Sequence, residues 1–219
     1  SDRLNRRHSR RRRHRSGALT QSTIAMAATH LFLFALAAAA VGFAAVFSVA
    51  KRMNNFGIVD IAWAAGFAPV AAFYAALADG TPSRRLAIAV MAGLWSMRLG
   101  GYLARRVLGH HPIEDGRYRQ LRRDWAGQLN RKMFLFFQAQ GLLLVILSVP
   151  FLLAARNPEP HWHLLEIAGF VLWCIALTGE AVADLQLARF KRESADRARV
   201  CDVGLWRLSR HPNYFFEFI

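Results

Sequence analysis

The residues best placed to do chemistry stand near the end of one apolar run. Glu180, Asp184, Leu187 and Lys191 are spaced i, i+4, i+7 and i+11. At 3.6 residues per turn they fall on one narrow stripe of a helix. Two acids on one stripe at membrane depth repel each other unless they bind donors. A neighbouring helix, a lysine or the hydroxyls of a ribose could supply them. Solvation at the helix end is the simpler reading; it accounts for Lys191 easily and for Glu180 poorly. Further on, residues 204–217 read GLWRLSRHPNYFFE. Arg210 and His211 are donors, Pro212 suits the first position of a helix, and Asn213, Tyr214 and Glu217 follow within it. A helix N-terminus beside two cationic donors is a ready anion site.

Long apolar runs must position these groups. A helix needs about 20 apolar residues to cross a bilayer, and five runs qualify: about 30–50, 56–78, 86–108, 133–155 and 164–190. Period-2 alternation is absent and the runs are too long for strands. The fold class predicted is all-α, a polytopic transmembrane helix bundle. With 54% hydrophobic residues the chain is neither disordered nor collagenous, and two cysteines make no disulfide framework. Cys174, inside an apolar run, reads as a small buried hydrophobe.

The net charge of +15 sits between the spans rather than in them, which favours a membrane protein over a nucleic-acid binder. The 105–132 loop carries eight Lys and Arg, the segment after the fifth span seven, and Lys51 and Arg52 add two on that side, against three at Arg84, Arg85 and Arg156. The positive-inside rule puts the basic side in the cytoplasm. An integral membrane protein of a bacterial inner membrane, with any cofactor face cytoplasmic, is the expectation. Residues 1–25 hold eight arginines and one acid, and read as a basic, disordered tail. The first methionine, Met26, reads as the true start of a domain covering 26–219.

Charges inside spans are costly unless paired or wet. Asp60 in the second span and Arg98 in the third could pair as a helix-to-helix salt bridge or line a polar cavity. The histidines at 110–111 and 161–163 lack a second ligand pair at metal spacing, so no metal site is expected.

The string RHPNYFFE, with VDIAW (59–63), LWSMRLGGYLARR (94–106), EDGRYRQLRRDW (114–125) and GEAVADLQLARFKR (179–192), resembles the DUF1295 family over about residues 50–219. That family is similar to the C-terminal domain of steroid 5α-reductases, helical membrane enzymes that use NADPH. The resemblance implies cofactor contacts from Glu180, Asp184 and Lys191 on one helix, with Asn213 near the nicotinamide; Arg210, His211 and Tyr214, at the same helix start, are the further cofactor-binding candidates. It places Glu217 near the reacting enone. Two positions depart from the pattern. Phe216 stands where many relatives have glycine, and Trp95 stands where steroid reductases have a catalytic tyrosine. The proton donor is then to be sought at Tyr102, Asp60 or Glu217. Relatives continue for about two more helices, so C-terminal spans are expected to be missing and this chain to be inactive.

The resulting expectation is an NADPH-dependent reductase acting on a double bond of a lipid-soluble, steroid-like or enone substrate, a role in lipid metabolism. The alternatives are an S-adenosylmethionine-dependent methyltransferase of the isoprenylcysteine carboxyl methyltransferase type, which shares a similar RHPxY string, and an inactive membrane remnant. Expected partners are the lipid-soluble substrate and membrane lipid, without nucleic acid.

Overall fold

The structure, a computed structural model, describes residues 28–194 and 199–219. The basic tail and Met26 lie outside the described residues, as does the stretch 195–198. The helices are α1 (Ala28–Arg52), α2 (Ile58–Leu77), α3 (Pro82–Gly109), α4 (Gly116–Asp124), α5 (Leu129–Leu147), α6 (Val149–Ala155), α7 (Leu164–Glu193) and α8 (Pro212–Glu217), with 3-10 turns at Ala126–Gln128 and Gly204–Arg207. All regular structure among the described residues is helical. Five helical stretches are long and apolar enough to cross a membrane: α1, α2, α3, Ala126–Ala155 and α7. The chain is thus an all-α polytopic helical bundle and, on those five spans, an integral membrane protein. The described residues fall into two compact units, one ending at Pro158 and one running from Glu159 to Ile219.

In the first unit small residues set the helix spacing. Lipid tails are as apolar as leucine, so spans associate through close packing rather than through a hydrophobic drive. A Cβ on Gly100 of α3 would stand 3.5 Å from Ala65 of α2, and one on Gly141 of α5 would stand 2.9 Å from the Phe43 ring of α1. Gly66 of α2 lies under Leu144 of α5. Phe47, Phe56 and Phe137 interlock with centroids 5.5–6.2 Å apart, and Val59, Tyr74, Met133, Phe137 and Leu144 are fully buried.

The fourth span, Ala126–Ala155, is interrupted for one residue at Ser148, between α5 and α6. Pro150 has no N–H to offer the preceding turn. Ser148 closes the gap: its N–H bonds to the Leu144 and Val145 carbonyls, and its hydroxyl donates to Val145 at 2.8 Å and lies 3.4 Å from the Tyr74 hydroxyl.

The second unit is α7 with what folds back on it. Glu166 accepts the His163 N–H at 2.8 Å and closes the N-terminus of α7. Along α7, Leu164, Leu165, Phe170, Leu172 and Leu185 are exposed, while Leu177, Leu187 and Phe190 are half-buried. At 1.5 Å per residue its 30 residues reach about 45 Å, well beyond a hydrocarbon core of about 30 Å. Its last turns, with Lys191 and Arg192, can therefore stand clear of the apolar zone.

Candidate functional site

Two clusters of ionisable side chains stand out, one in each unit. In the first, the 110–125 segment straps onto the start of α2. Asp115 caps α4, accepting the Arg117 N–H at 3.0 Å, and is ion-paired with Arg106 and Arg117. The Arg117 N–H, then the two guanidinium charges, hold its carboxyl below the usual aspartate range against partial burial. Glu114, 6% exposed, accepts the Phe56 N–H at 2.6 Å and the Arg122 Nε at 2.5 Å, while Arg122 lies over the Phe56 ring at 4.4 Å.

Asp60, in the first turn of α2, accepts from the Tyr118 hydroxyl at 2.6 Å and from Arg117 at 3.0 Å. Tyr118 and Arg117, which the sequence reading did not name, thus join α4 to Asp60. Burial, then the Asp60 charge, push the Tyr118 hydroxyl far above the usual tyrosine range, so it stays a donor. Tyr102 lies on α3, 40% exposed. Trp95 packs edge-on against Trp63 and Phe67 and serves as apolar packing.

In the second unit, α8 and the turn before it fold back on α7. The stripe is graded: Glu180 is 5% exposed, Asp184 partly buried and Lys191 exposed. The Asn213 amide donates to the Asp184 carboxylate at 3.4 Å. The other end of the amide, Asn213 Oδ1, is buried with no hydrogen-bond partner, so it is an acceptor ready for an incoming N–H or O–H. Phe216 lies directly against Gly179, where a Cβ would collide with its ring. Gly179 of α7 thus gives the Phe216 ring of α8 its close approach. His211 stacks on Tyr214 with centroids 5.4 Å apart; Arg210, His211, Tyr214 and Glu217 are all exposed. The structure thus brings Asp184 and Asn213 together. Lys191 stands about 10 Å further along α7 at 1.5 Å per residue.

The expected residues omit the two side chains that fasten this fold. The Gln186 carbonyl oxygen accepts the Leu205 N–H at 2.9 Å, and the Trp206 indole donates to the Ala183 carbonyl at 2.9 Å. Gly204, at φ +56°, leaves no room for a Cβ against Gln186. The left-handed glycine was the signal for a tight turn in the sequence. Nothing in the spacing tied that turn to Gln186.

A family described as "Protein of unknown function (DUF1295)" matches residues 46–219. No curated protein and no solved structure matches the chain.

Proposed function

The chain belongs to the DUF1295 family, and we propose that it is an integral membrane, NADPH-dependent reductase acting on a double bond of a lipid-soluble enone. The observation that carries this reading is the pairing of Asp184 with Asn213 while Asn213 Oδ1 stays buried without a partner. A primary amide with one end anchored and the other open fits the carboxamide of a nicotinamide, which offers an N–H. Asp184 and Glu180 are acceptors suited to ribose hydroxyls, and Lys191, exposed further along the same helix, is a cation suited to phosphate. Bound there, NADPH would supply a hydride.

This chain's own residues would do the rest. Trp206 and Gln186 hold the 204–207 turn on α7, which fixes where α8 begins and so where Asn213 stands. In the first unit Asp60 holds the Tyr118 hydroxyl in a hydrogen bond. The basic segments bias their surroundings toward anions.

The test is equilibrium binding of NADPH to the full chain in nanodiscs, read by nicotinamide fluorescence. Binding that Asn213→Ala and Asp184→Asn each weaken about tenfold or more supports the reading. Binding of S-adenosylmethionine with indifference to NADPH would replace it with the methyltransferase.

A further inference from the structure

A cavity opens where the turn before α2, the end of α3 and the start of α4 converge. Asn55 lies in its wall and is 1% exposed. The Asn55 Oδ1 accepts the Gly57 N–H at 3.0 Å, which fixes the amide and leaves Nδ2 as its open end. Nδ2 donates to no group among the described residues, and it keeps access to the cavity. A buried amide with one end anchored and two N–H donors unspent is costly until an acceptor meets them.

Two further donors share the wall. Gly116 is the first residue of α4, so its N–H has no partner within the helix. Asp115, the capping residue, takes the Arg117 N–H instead. Arg119 is exposed, forms no ion pair among the described residues, and folds back on the same helix end. A Cβ on Gly116 would have Arg119 Nη2 at 4.0 Å and nothing else as near. A cation at the positive end of a helix is disfavoured unless an anion joins it. Glu114 and Asp115 also line the cavity, but their charges are already met. Together with Asp60 they are three acids, paired with the three arginines at 106, 117 and 122. Arg119 is the fourth arginine, and its charge is left over. A side-chain amide, a helix N-terminus and a guanidinium, drawn from two segments of the chain, call for an anion with several acceptor oxygens.

We infer that this cavity binds a phosphate group, its oxygens accepting from Asn55 Nδ2, the Gly116 N–H and the Arg119 guanidinium. A soluble phosphate ester and a lipid headgroup carry the same chemistry, and the experiment separates them. The inference uses residues of the first unit alone and does not rest on the reductase reading.

The test is equilibrium dialysis of radiolabelled inorganic phosphate against the full chain in phosphatidylcholine nanodiscs. One saturable phosphate per chain is expected. Arg119→Gln should weaken it about tenfold or more, the size of one charge-assisted contact. Gly116→Pro removes an N–H at a position where proline suits a helix, and Asp115, at ψ 145°, already has the backbone that proline requires of its predecessor. It should weaken binding about fivefold or more and leave the melting temperature in place. Asn55→Asp keeps an oxygen for the Gly57 N–H and replaces the open donors with an acceptor, so binding should be lost. Displacement of the label by adenosine 5′-phosphate identifies a soluble ester as the source. Loss of uptake when phosphatidic acid enters the disc identifies a headgroup, and either result supports the site. No saturable binding, affinity unchanged in both Arg119→Gln and Gly116→Pro, or displacement by acetate as effective as by phosphate would overturn the proposal.

Discussion

Gly179→Ala adds a single methyl group at the point where α8 meets α7. The three heavy atoms nearest to that methyl all belong to the Phe216 ring, and they are too close for any real Cβ. The ring cannot yield cheaply, because Asn213, one turn before it, is tied to Asp184, and the preceding turn is tied through Trp206 and Gln186. Overpacking of this kind costs about 1–3 kcal/mol. If α8 must sit on α7 for Asn213 to meet a ligand, that energy appears as a loss of affinity of about 5- to 150-fold. NADPH titration of the variant in nanodiscs reads it directly. The companion Gly179→Ala with Phe216→Gly removes the collision and should recover most of the affinity. Unchanged affinity in Gly179→Ala, or no recovery in the double variant, would refute the claim that this contact positions Asn213.

Three further outcomes follow from the first unit. Glu114→Ala should destabilise it by about 3–5 kcal/mol, since the Phe56 N–H and Arg122 lose a buried partner; thermal melting in detergent should fall by about 6 °C or more. Arg117→Ala, whose side chain is 67% exposed, should move the melting point far less, as screened surface pairs contribute about 0–1 kcal/mol. The lowered Asp115 carboxyl adds stability above its unfolded value that is lost as acid titrates its folded one, and the raised Tyr118 hydroxyl adds stability that is lost above about pH 10. Melting against pH should therefore decline at both extremes, with Asp115→Asn flattening the acid limb and Tyr118→Phe the alkaline one.

The spans were legible because a bilayer demands a length of apolar sequence that little else produces. The break at Ser148 was not, because Pro150 inside a span can kink a helix or be absorbed, and the choice rests on Ser148 and Tyr74 meeting in the core. Asp184 and Asn213 were each singled out, one by helical spacing and one by a long distinctive string, but their pairing was not, because nothing in either pattern joins residues 29 apart. Asp60–Tyr118 and Glu114–Phe56 were invisible for one shared reason. Each joins residues 58 apart in the chain across elements with no common periodicity, so only the folded loop reveals them. EDGRYRQLRRDW drew attention as a family string, and three of its residues have a structural use: Glu114, Tyr118 and Arg122 bind α2 or the turn before it.

The central claim, that the polar stripe of α7 takes a nicotinamide cofactor with Lys191 at a phosphate, is tested most directly by one comparison: the affinities of Lys191→Glu for NADPH and NADH in the full chain in nanodiscs. A charge-assisted contact contributes about 1.5–3 kcal/mol, roughly ten- to a hundredfold. The account predicts a loss of that size for NADPH and a smaller one for NADH, because the extra 2′-phosphate meets the new carboxylate. Affinities for both cofactors that match the unaltered protein would contradict it and leave the stripe with a purely structural role.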